Sequence, residues 1–196
     1  NLNKKGMKVL IINGHPNPNS LCNAFAKAYK ESSLKVGNEV EELVISELNF
    51  NPNLKYGYQE RSEWETDLQL AWDKILWADH LVWIHPVWWG GLPAVLKGFI
   101  DRVFLPGKAF KYRKDSLFWD KMLKGKTAHI ICTLDQPGWY YWLVYGKPSV
   151  NQLKKSTLEF CGINPVKVSY FGIVRKSTQQ IRENWINKVK LLASKS

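Results

Sequence analysis

The stretch VLIINGHPNPNSLCNAF, residues 9–25, predicts the opening of an α/β fold. A short aliphatic run gives way to a turn rich in Asn and Pro, and Ser20 stands where a helix N-cap belongs. A second stretch, LVWIHPVWWGGLPAVLKGFIDRVF at residues 81–104, repeats the order of strand, turn and helix. In an open parallel sheet such turns lie at the carboxyl ends of the strands, where ligands bind. The two turns are therefore the first candidates for a functional site.

The rest of the chain continues this alternation of strands and helices. The predicted strands are residues 7–13, 39–45, 79–85, 127–133 and 165–173. The predicted helices are residues 20–36, 64–75, 92–103, 149–160 and 177–192, and long surface loops are predicted at 49–62, 105–125 and 134–148. The alternation implies a parallel sheet covered by helices on both faces. We therefore predict a flavodoxin-like three-layer α/β sandwich, with strand order 2-1-3-4-5 and a site between strands 1 and 3.

The domain organisation is predicted to be simple. The sequence contains no internal repeat, linker or low-complexity segment, and its 196 residues suit one domain over residues 7–196. Residues 1–6 precede the first Met and are treated as an N-terminal lead, either natural or left by cloning.

Charge is distributed unevenly along the chain. Residues 1–96 carry 9 Lys+Arg against 11 Asp+Glu, whereas residues 97–196 carry 19 against 6, which gives the overall net charge of +11. The basic half is interpreted as solubilising surface or as attraction for phosphorylated cofactors. No base-reading helix or RNA motif is present, so no nucleic-acid partner is expected.

The cysteines indicate a reducing compartment. Three of them, without CxxC spacing and without a metal pattern among the four histidines, predict neither a disulfide framework nor a metal site. No signal peptide opens the chain and no apolar run approaches the ~18 residues of a membrane span. A cytoplasmic location is expected.

The first turn has the composition of a phosphate site. It lacks both GxxxxGK[ST] and GxGxxG, which argues against a triphosphate P-loop and a standard dinucleotide fingerprint. His15, Ser20 and Asn23 surround a helix start whose free amides favour a dianionic phosphate. The alternative is an ordinary Asn/Pro turn that ends in a Ser cap.

The second turn offers a surface for a flat ring. After Pro86 come Trp88 and Trp89, and Gly90 and Gly91 then allow backbone amides to approach a ligand closely. An isoalloxazine ring needs amide donors at its pyrimidine edge and an apolar wall on its face. The two turns together predict a flavin mononucleotide site, the alternative being that the Trp residues belong to the core or to an interface.

The loop after the fourth strand is the third candidate. Thr133 and Asp135 stand at the strand end, and five aromatic residues follow between positions 139 and 145. A buried Tyr hydroxyl there could hydrogen-bond the flavin O2, or the loop could pack against a second subunit. His80 and His129 are interpreted as core histidines, and Cys22 as a small buried residue.

At these residues the sequence resembles the NAD(P)H dehydrogenase (quinone) family, whose relatives include potassium-efflux ancillary oxidoreductases and bacterial modulators of drug activity. The most specific segment is PVWWGGLPAVLKGFIDRVFLPGKAFKY, residues 86–112, and GHPNPNSLCNA is similar to the family's phosphate turn. The resemblance implies that the ribityl phosphate is held by His15, Ser20, Leu21, Cys22 and Asn23. It implies that the ring and its edge are lined by Pro86, Val87, Trp88, Trp89, Gly90, Thr133, Leu134 and Asp135.

The resemblance weakens at the strand-4 loop. Some members carry Thr-Thr-Gly-Gly followed by a catalytic Tyr, whereas this chain has TLDQPG at 133–138 and then WYY. Tyr140 and Tyr141 are the candidates for a catalytic role.

The family implies ping-pong hydride transfer from NAD(P)H through the flavin to a quinone or another small aromatic acceptor. FMN is favoured over FAD because the chain is short, and the basic half favours NADPH over NADH. The family and the aromatic loops suggest a homodimer. The alternatives are a flavodoxin-type electron carrier and an ancillary regulatory subunit that contacts a potassium-efflux transporter.

Overall fold

A computed structural model describes residues 6–60 and 62–195, so residues 1–5 of the predicted lead lie outside the described part. The strands are β1 Lys8–Asn13, β2 Glu39–Val44, β3 His80–Pro86, β4 Phe110–Tyr112, β5 Trp119–Lys121, β6 Thr127–Leu134 and β7 Val166–Gly172. The helices are α1 Leu21–Lys35, α2 Thr66–Trp77, α3 Ala94–Val103, α4 Gly138–Leu143, α5 Pro148–Leu153 and α6 Gln179–Ala193. A π-helical stretch, Lys154–Glu159, continues α5, and short 3₁₀ turns form at Ile45–Glu47 and Val174–Lys176.

Five strands form one parallel sheet in the order β2-β1-β3-β6-β7. Counted along the sheet this is 2-1-3-4-5, so the predicted flavodoxin-like topology is confirmed. The switch point lies between β1 and β3, where Asn13 is in register with Ile84. The turns after these two strands therefore share one edge of the sheet.

Both faces of the sheet are buried, as an all-parallel sheet requires. Alternate β1 residues divide between two cores, because successive side chains of a strand point to opposite faces. Leu10 and Ile12 pack in the core that α2 and α3 cover, and Val9 and Ile11 pack in the core of α1 and α6. This burial fixes the register of β1 and thereby the position of the turn that follows it.

Two predicted loops contain regular structure. The segment 105–125 forms the antiparallel pair β4 and β5, because Phe110 packs edge-on against Phe160 and Trp119 stacks on the same ring at 4.2 Å. The segment 134–148 contains α4, which begins after Pro137 and buries Tyr141. Both short elements depend on contacts distant in sequence, which local patterns do not register.

Several helix starts also differ from prediction. Helix α2 begins at Thr66 rather than Trp64, whose indole N–H instead donates to the Arg102 carbonyl at 2.7 Å. Helix α3 begins after Pro93. Ser149 is not a cap, because α5 begins at Pro148. Helix α6 is capped by Thr178, whose hydroxyl accepts from the Ile181 N–H.

Three buried histidines couple the stability of the fold to pH. His80 bonds Thr127 at 2.6 Å and His129 bonds Ser169 at 2.9 Å, which confirms their role as core residues. His85, at the end of β3, is fully buried, and its Nδ1 lies 2.9 Å from the Pro86 carbonyl oxygen. Burial is the main cause that lowers the pKa of each ring to about 4.

We expect acid to destabilise the protein through these rings. Between the ordinary histidine pKa of 6.5 and about 4, the unfolded chain binds protons that the folded chain does not. The contribution of these histidines to the free energy of unfolding is therefore fully present above pH 6.5 and is lost progressively toward pH 4. The loss is up to about 1.4 kcal/mol per pH unit for each histidine. Denaturant unfolding at pH 7, 6 and 5 measures this decline. In His85→Phe the slope of the unfolding free energy against pH should be smaller by the share of one histidine. An unchanged slope in that variant would contradict the lowered pKa of His85.

Candidate functional site

A groove of about 250 Å³ lies at the carboxyl ends of β1, β3 and β6. Its lining includes ten of the predicted site residues, namely His15, Ser20, Leu21, Cys22, Pro86, Val87, Trp88, Thr133, Leu134 and Asp135. Asn17 and Val174 complete the lining. The structure thus brings all three predicted turns to one place.

The remaining predicted residues do not line this groove. Asn23 lies in the first turn of α1, where its side-chain amide donates to the Pro18 carbonyl at 2.5 Å. Trp89 projects wholly into solvent, and Gly90 lies under Pro148. Tyr140 is half-buried, with its ring edge-on to Trp139 and Tyr145.

The turn after β1 is held rigidly by its own side chains. The Asn13 side chain accepts from the His15 N–H at 3.1 Å, and the His15 ring nitrogen Nδ1 accepts from the Asn17 N–H at 2.9 Å. Ser20 caps α1 by accepting from the Asn23 N–H. Within residues 6–60 and 62–195, nothing accepts a hydrogen bond from the backbone N–H of Leu21 or Cys22. These two donors lie at the start of a 15-residue helix and line the groove, an arrangement that suits an anion.

His15 is a neutral donor at this end of the groove. Since its Nδ1 accepts a hydrogen bond, the proton of the neutral ring belongs on Nε2. Burial lowers the pKa of His15 from its ordinary value, against the opposing effect of the Asn17 bond. The ring meets Trp88 edge-on at 5.4 Å and so joins the first turn to the second.

The second turn is a tight reversal over residues 88–91. Trp88 and Gly91 exchange backbone hydrogen bonds of 3.1 and 2.8 Å, while Trp89 and Gly90 take φ values of +51° and +73°. The N–H of Gly91 is therefore already hydrogen-bonded within the turn. In the part of the chain that the structure describes, the N–H groups of Trp89 and Gly90 have no acceptor. A left-handed Trp is unusual and strained, and such strain is concentrated at functional sites.

Tyr141 is enclosed by protein. Its hydroxyl lies 2.6 Å from the Ser149 hydroxyl, and it packs with Val87, Cys132 and Val150. Burial raises the pKa of Tyr141 above the ordinary value. This contact joins α4 to α5 behind the Val87 end of the groove.

The thiol of Cys22 is buried, and burial raises its pKa to about 12. Its sulfur lies 3.7 Å from the Thr133 hydroxyl. The prediction of a small buried residue is confirmed, and a thiol with this pKa is protonated at neutral pH.

Sequence reasoning missed Asn17 and Val174. Asn17 lies inside the predicted turn, and its side chain accepts from the Asn19 N–H at 2.8 Å. Val174 follows the last strand, whose neighbour in the sheet is β6, so the strand order alone could have placed it beside Asp135.

Four larger cavities lie elsewhere in the described part of the chain. One, of about 520 Å³, runs between the start of α2 and the segment after α3, and another, of about 490 Å³, is lined by Phe104, Phe110, Tyr112 and Phe160 among others. The other two, of about 490 and 520 Å³, lie beside Gly162 and beside Asp79. The first cavity reaches Thr66 at the start of α2, but none of the four lies at the carboxyl ends of the five parallel strands, where open α/β sheets bind their ligands. The smaller groove is therefore the stronger candidate for a phosphorylated ligand.

The fold is that of a flavodoxin-like protein, and its candidate site lies at the switch point of the sheet. The family described as having a flavodoxin-like fold matches residues 7–191. A Haemophilus influenzae protein named an uncharacterized NAD(P)H oxidoreductase is 31% identical over 92% of this chain and 91% of its own length. The rat ribosyldihydronicotinamide dehydrogenase [quinone] is 24% identical over 94% of the chain and 91% of its own length.

Solved structures agree with this assignment. Smu.1420 from Streptococcus mutans superimposes with a TM-score of 0.83 at 32% identity, over 97% of this chain and all of the other. An FMN-dependent NADH-azoreductase from Bacillus anthracis, solved in complex with FMN, shares the fold at a TM-score of 0.73 and 21% identity, over 96% and 98% of the two chains. The chain belongs to the flavodoxin-like family of NAD(P)H oxidoreductases and quinone dehydrogenases, and it is an oxidoreductase.

Proposed function

We propose that the chain is an FMN-dependent NAD(P)H oxidoreductase that passes hydride from NAD(P)H through the flavin to a quinone-type acceptor. The observation that carries this proposal is the meeting of three turns in one groove, with the unpaired N–H groups of Leu21 and Cys22 at one side. Names of the relatives, which include quinone dehydrogenases, supply the class of acceptor.

The groove residues fit FMN by their chemistry. The amides of Leu21 and Cys22, the Ser20 hydroxyl and the His15 Nε2–H are donors for a phosphate. The ring is proposed to extend past Trp88, where the free N–H groups of Trp89 and Gly90, which lie outside the groove lining, suit its carbonyl oxygens. FMN rather than FAD is proposed because a solved structure with the same fold, the azoreductase from Bacillus anthracis, was determined in complex with FMN.

Bound FMN supplies the two-electron hydride chemistry. The protein contributes position and electrostatics: Pro86, Val87 and Trp88 provide an apolar wall, and Thr133, in register with Pro86 on the neighbouring strand, offers a hydroxyl. Tyr140 and Tyr141 are proposed as the catalytic candidates in the loop after β6, and of the two Tyr141 is buried with its hydroxyl bonded to Ser149. NADPH is proposed as the preferred donor because residues 97–196 are strongly basic.

A homodimer is proposed to cover the exposed aromatic residues beside the groove. These are Trp88, Trp89, Trp139, Trp142 and Tyr145, which are between 44% and 106% exposed. The turn at residues 88–91 contacts α5, since the Ser149 N–H donates to the Gly90 carbonyl at 3.0 Å. Contiguous exposed aromatic surface of this kind is typical of protein interfaces. Light scattering that gives one chain per particle would contradict this part of the proposal.

A cytoplasmic location is proposed because all three cysteines are free and buried. No helix in the described ranges is long and apolar enough to cross a membrane.

The activity is tested with the full chain, FMN, NADPH and menadione, with no partner protein present. We expect oxidation of NADPH at 340 nm that requires both FMN and menadione, and a lower KM for NADPH than for NADH. A flavodoxin-type carrier would bind FMN but would not oxidise NADPH under these conditions. Equal kcat/KM for both nucleotides would remove the NADPH preference alone.

A further inference from the structure

The charge of the groove does not match the ligand that its amides favour. Among its lining residues within 6–60 and 62–195, Asp135 is the one side chain with a formal charge, and that charge is negative. The lining histidine is neutral, and the start of α1 supplies only about half a positive charge. A phosphate dianion would enter this groove without a full cation to meet it.

The missing cation lies on the 3₁₀ turn Val174–Lys176. Val174 itself lines the groove, and the backbone N–H of Arg175 donates to Asp135 Oδ1 at 2.8 Å. This bond holds the turn that follows β7 against the loop that follows β6. It places Arg175, which directly follows the lining residue Val174, at the rim of the groove.

The side chain of Arg175 is available. It is exposed, and in the described part of the chain its guanidinium makes no hydrogen bond and no ion pair. Other arginines are engaged: Arg102 is buried against Glu65, and Arg113 lies 2.6 Å from Asp120. An unpaired guanidinium presents a planar fork of donors that matches phosphate oxygens.

We propose that Arg175 binds the phosphate of the flavin mononucleotide, and that Asp135 positions Arg175 through its backbone rather than contacting the ligand. This inference rests on the proposed flavin site. It assigns to the turn after β7 a part of the binding site that neither of the first two turns supplies. Because the anchoring bond uses the backbone N–H, replacing the Arg175 side chain leaves the turn in place.

The test compares FMN with riboflavin, which has the same ring and no phosphate. Flavin fluorescence titration of Arg175→Gln should show the Kd for FMN rising about tenfold, the range of a charge-assisted hydrogen bond at an exposed site, with riboflavin changed less than about twofold. Arg113→Gln, which removes a guanidinium that is already paired, should leave both values unchanged. Asp135→Asn retains the acceptor oxygen and removes the charge, so FMN should bind a few-fold more tightly.

The outcomes separate this inference from the proposed function. Equal loss of FMN and riboflavin binding in Arg175→Gln would show a structural role and overturn the inference, as would unchanged FMN binding. If the wild-type chain binds neither flavin, the proposed function fails as well. If it binds FMN and Arg175→Gln binds FMN equally well, only the role of Arg175 is lost.

Discussion

Replacing Leu21 with Pro should weaken FMN binding by between about tenfold and about a hundredfold while the fold is retained. Leu21 is the first residue of α1, where Pro is tolerated because its φ suits the helix and its missing N–H has no partner there. Ser20 already has the extended ψ of 161° that a following Pro requires. The substitution therefore removes one donor from the groove and little else. A lost hydrogen bond to a charged group costs about 1.5–3 kcal/mol, which gives the stated range.

The matched control is Leu21→Ala, which shortens the side chain and keeps the N–H. Calorimetric titration with FMN should give nearly wild-type affinity for the Ala variant and the large loss for the Pro variant. Circular dichroism checks that both are folded. Equal affinities in the two variants would mean that this amide does not contact the phosphate.

The second large effect is on stability, at Arg102. This side chain is 3% exposed and binds the Asn51 and Glu63 carbonyls and the Glu65 carboxylate. It thereby ties the long segment after β2 to α3. Burial disfavours the charge of Glu65, but its hydrogen bonds, including those from Asn51 and Arg102, outweigh this and lower its pKa.

Arg102→Leu should therefore cost about 3 kcal/mol, because it removes the buried guanidinium that donates to two carbonyls and a carboxylate. For a chain of this length that corresponds to a fall in Tm of about 6–12 °C. Thermal unfolding followed by circular dichroism measures it. Lys97→Met is the control on the same helix, since the half-buried Lys97–Asp101 pair, four residues apart on one helix, should contribute no more than about 1 kcal/mol. Equal Tm values for the two variants would contradict the large contribution to stability assigned to Arg102.

The sheet could be predicted from the sequence because its signals are local and repeated. The aliphatic run of β1 and the apolar β3 each precede a turn with Gly or Pro, and strand order follows from that alternation. The site followed from the same rule, since parallel strands bring their carboxyl ends to one edge. The sequence alone therefore predicts that Ser20, Trp88 and Thr133 lie at one edge of the sheet.

What could not be predicted depends on contacts between distant residues. The hairpin of β4 and β5 forms against Phe160, some forty residues later, and α4 buries Tyr141 against Ser149. The left-handed conformation of Trp89 follows from the reciprocal bonds of its neighbours, whereas its residue type favours an extended backbone. Arg175 carries no motif, and only the bond of its N–H to Asp135 shows where it lies.

The central claim is that three turns of one sheet edge form a redox-active flavin site. The most direct test is the absorbance spectrum of the protein after incubation with FMN and removal of free ligand, recorded without oxygen before and after NADPH is added. The account predicts bands near those of flavin that stay with the protein at about one FMN per chain and bleach on addition of NADPH. A protein that stays colourless after incubation with FMN, or one whose bound FMN is not bleached by NADPH or NADH, would contradict it.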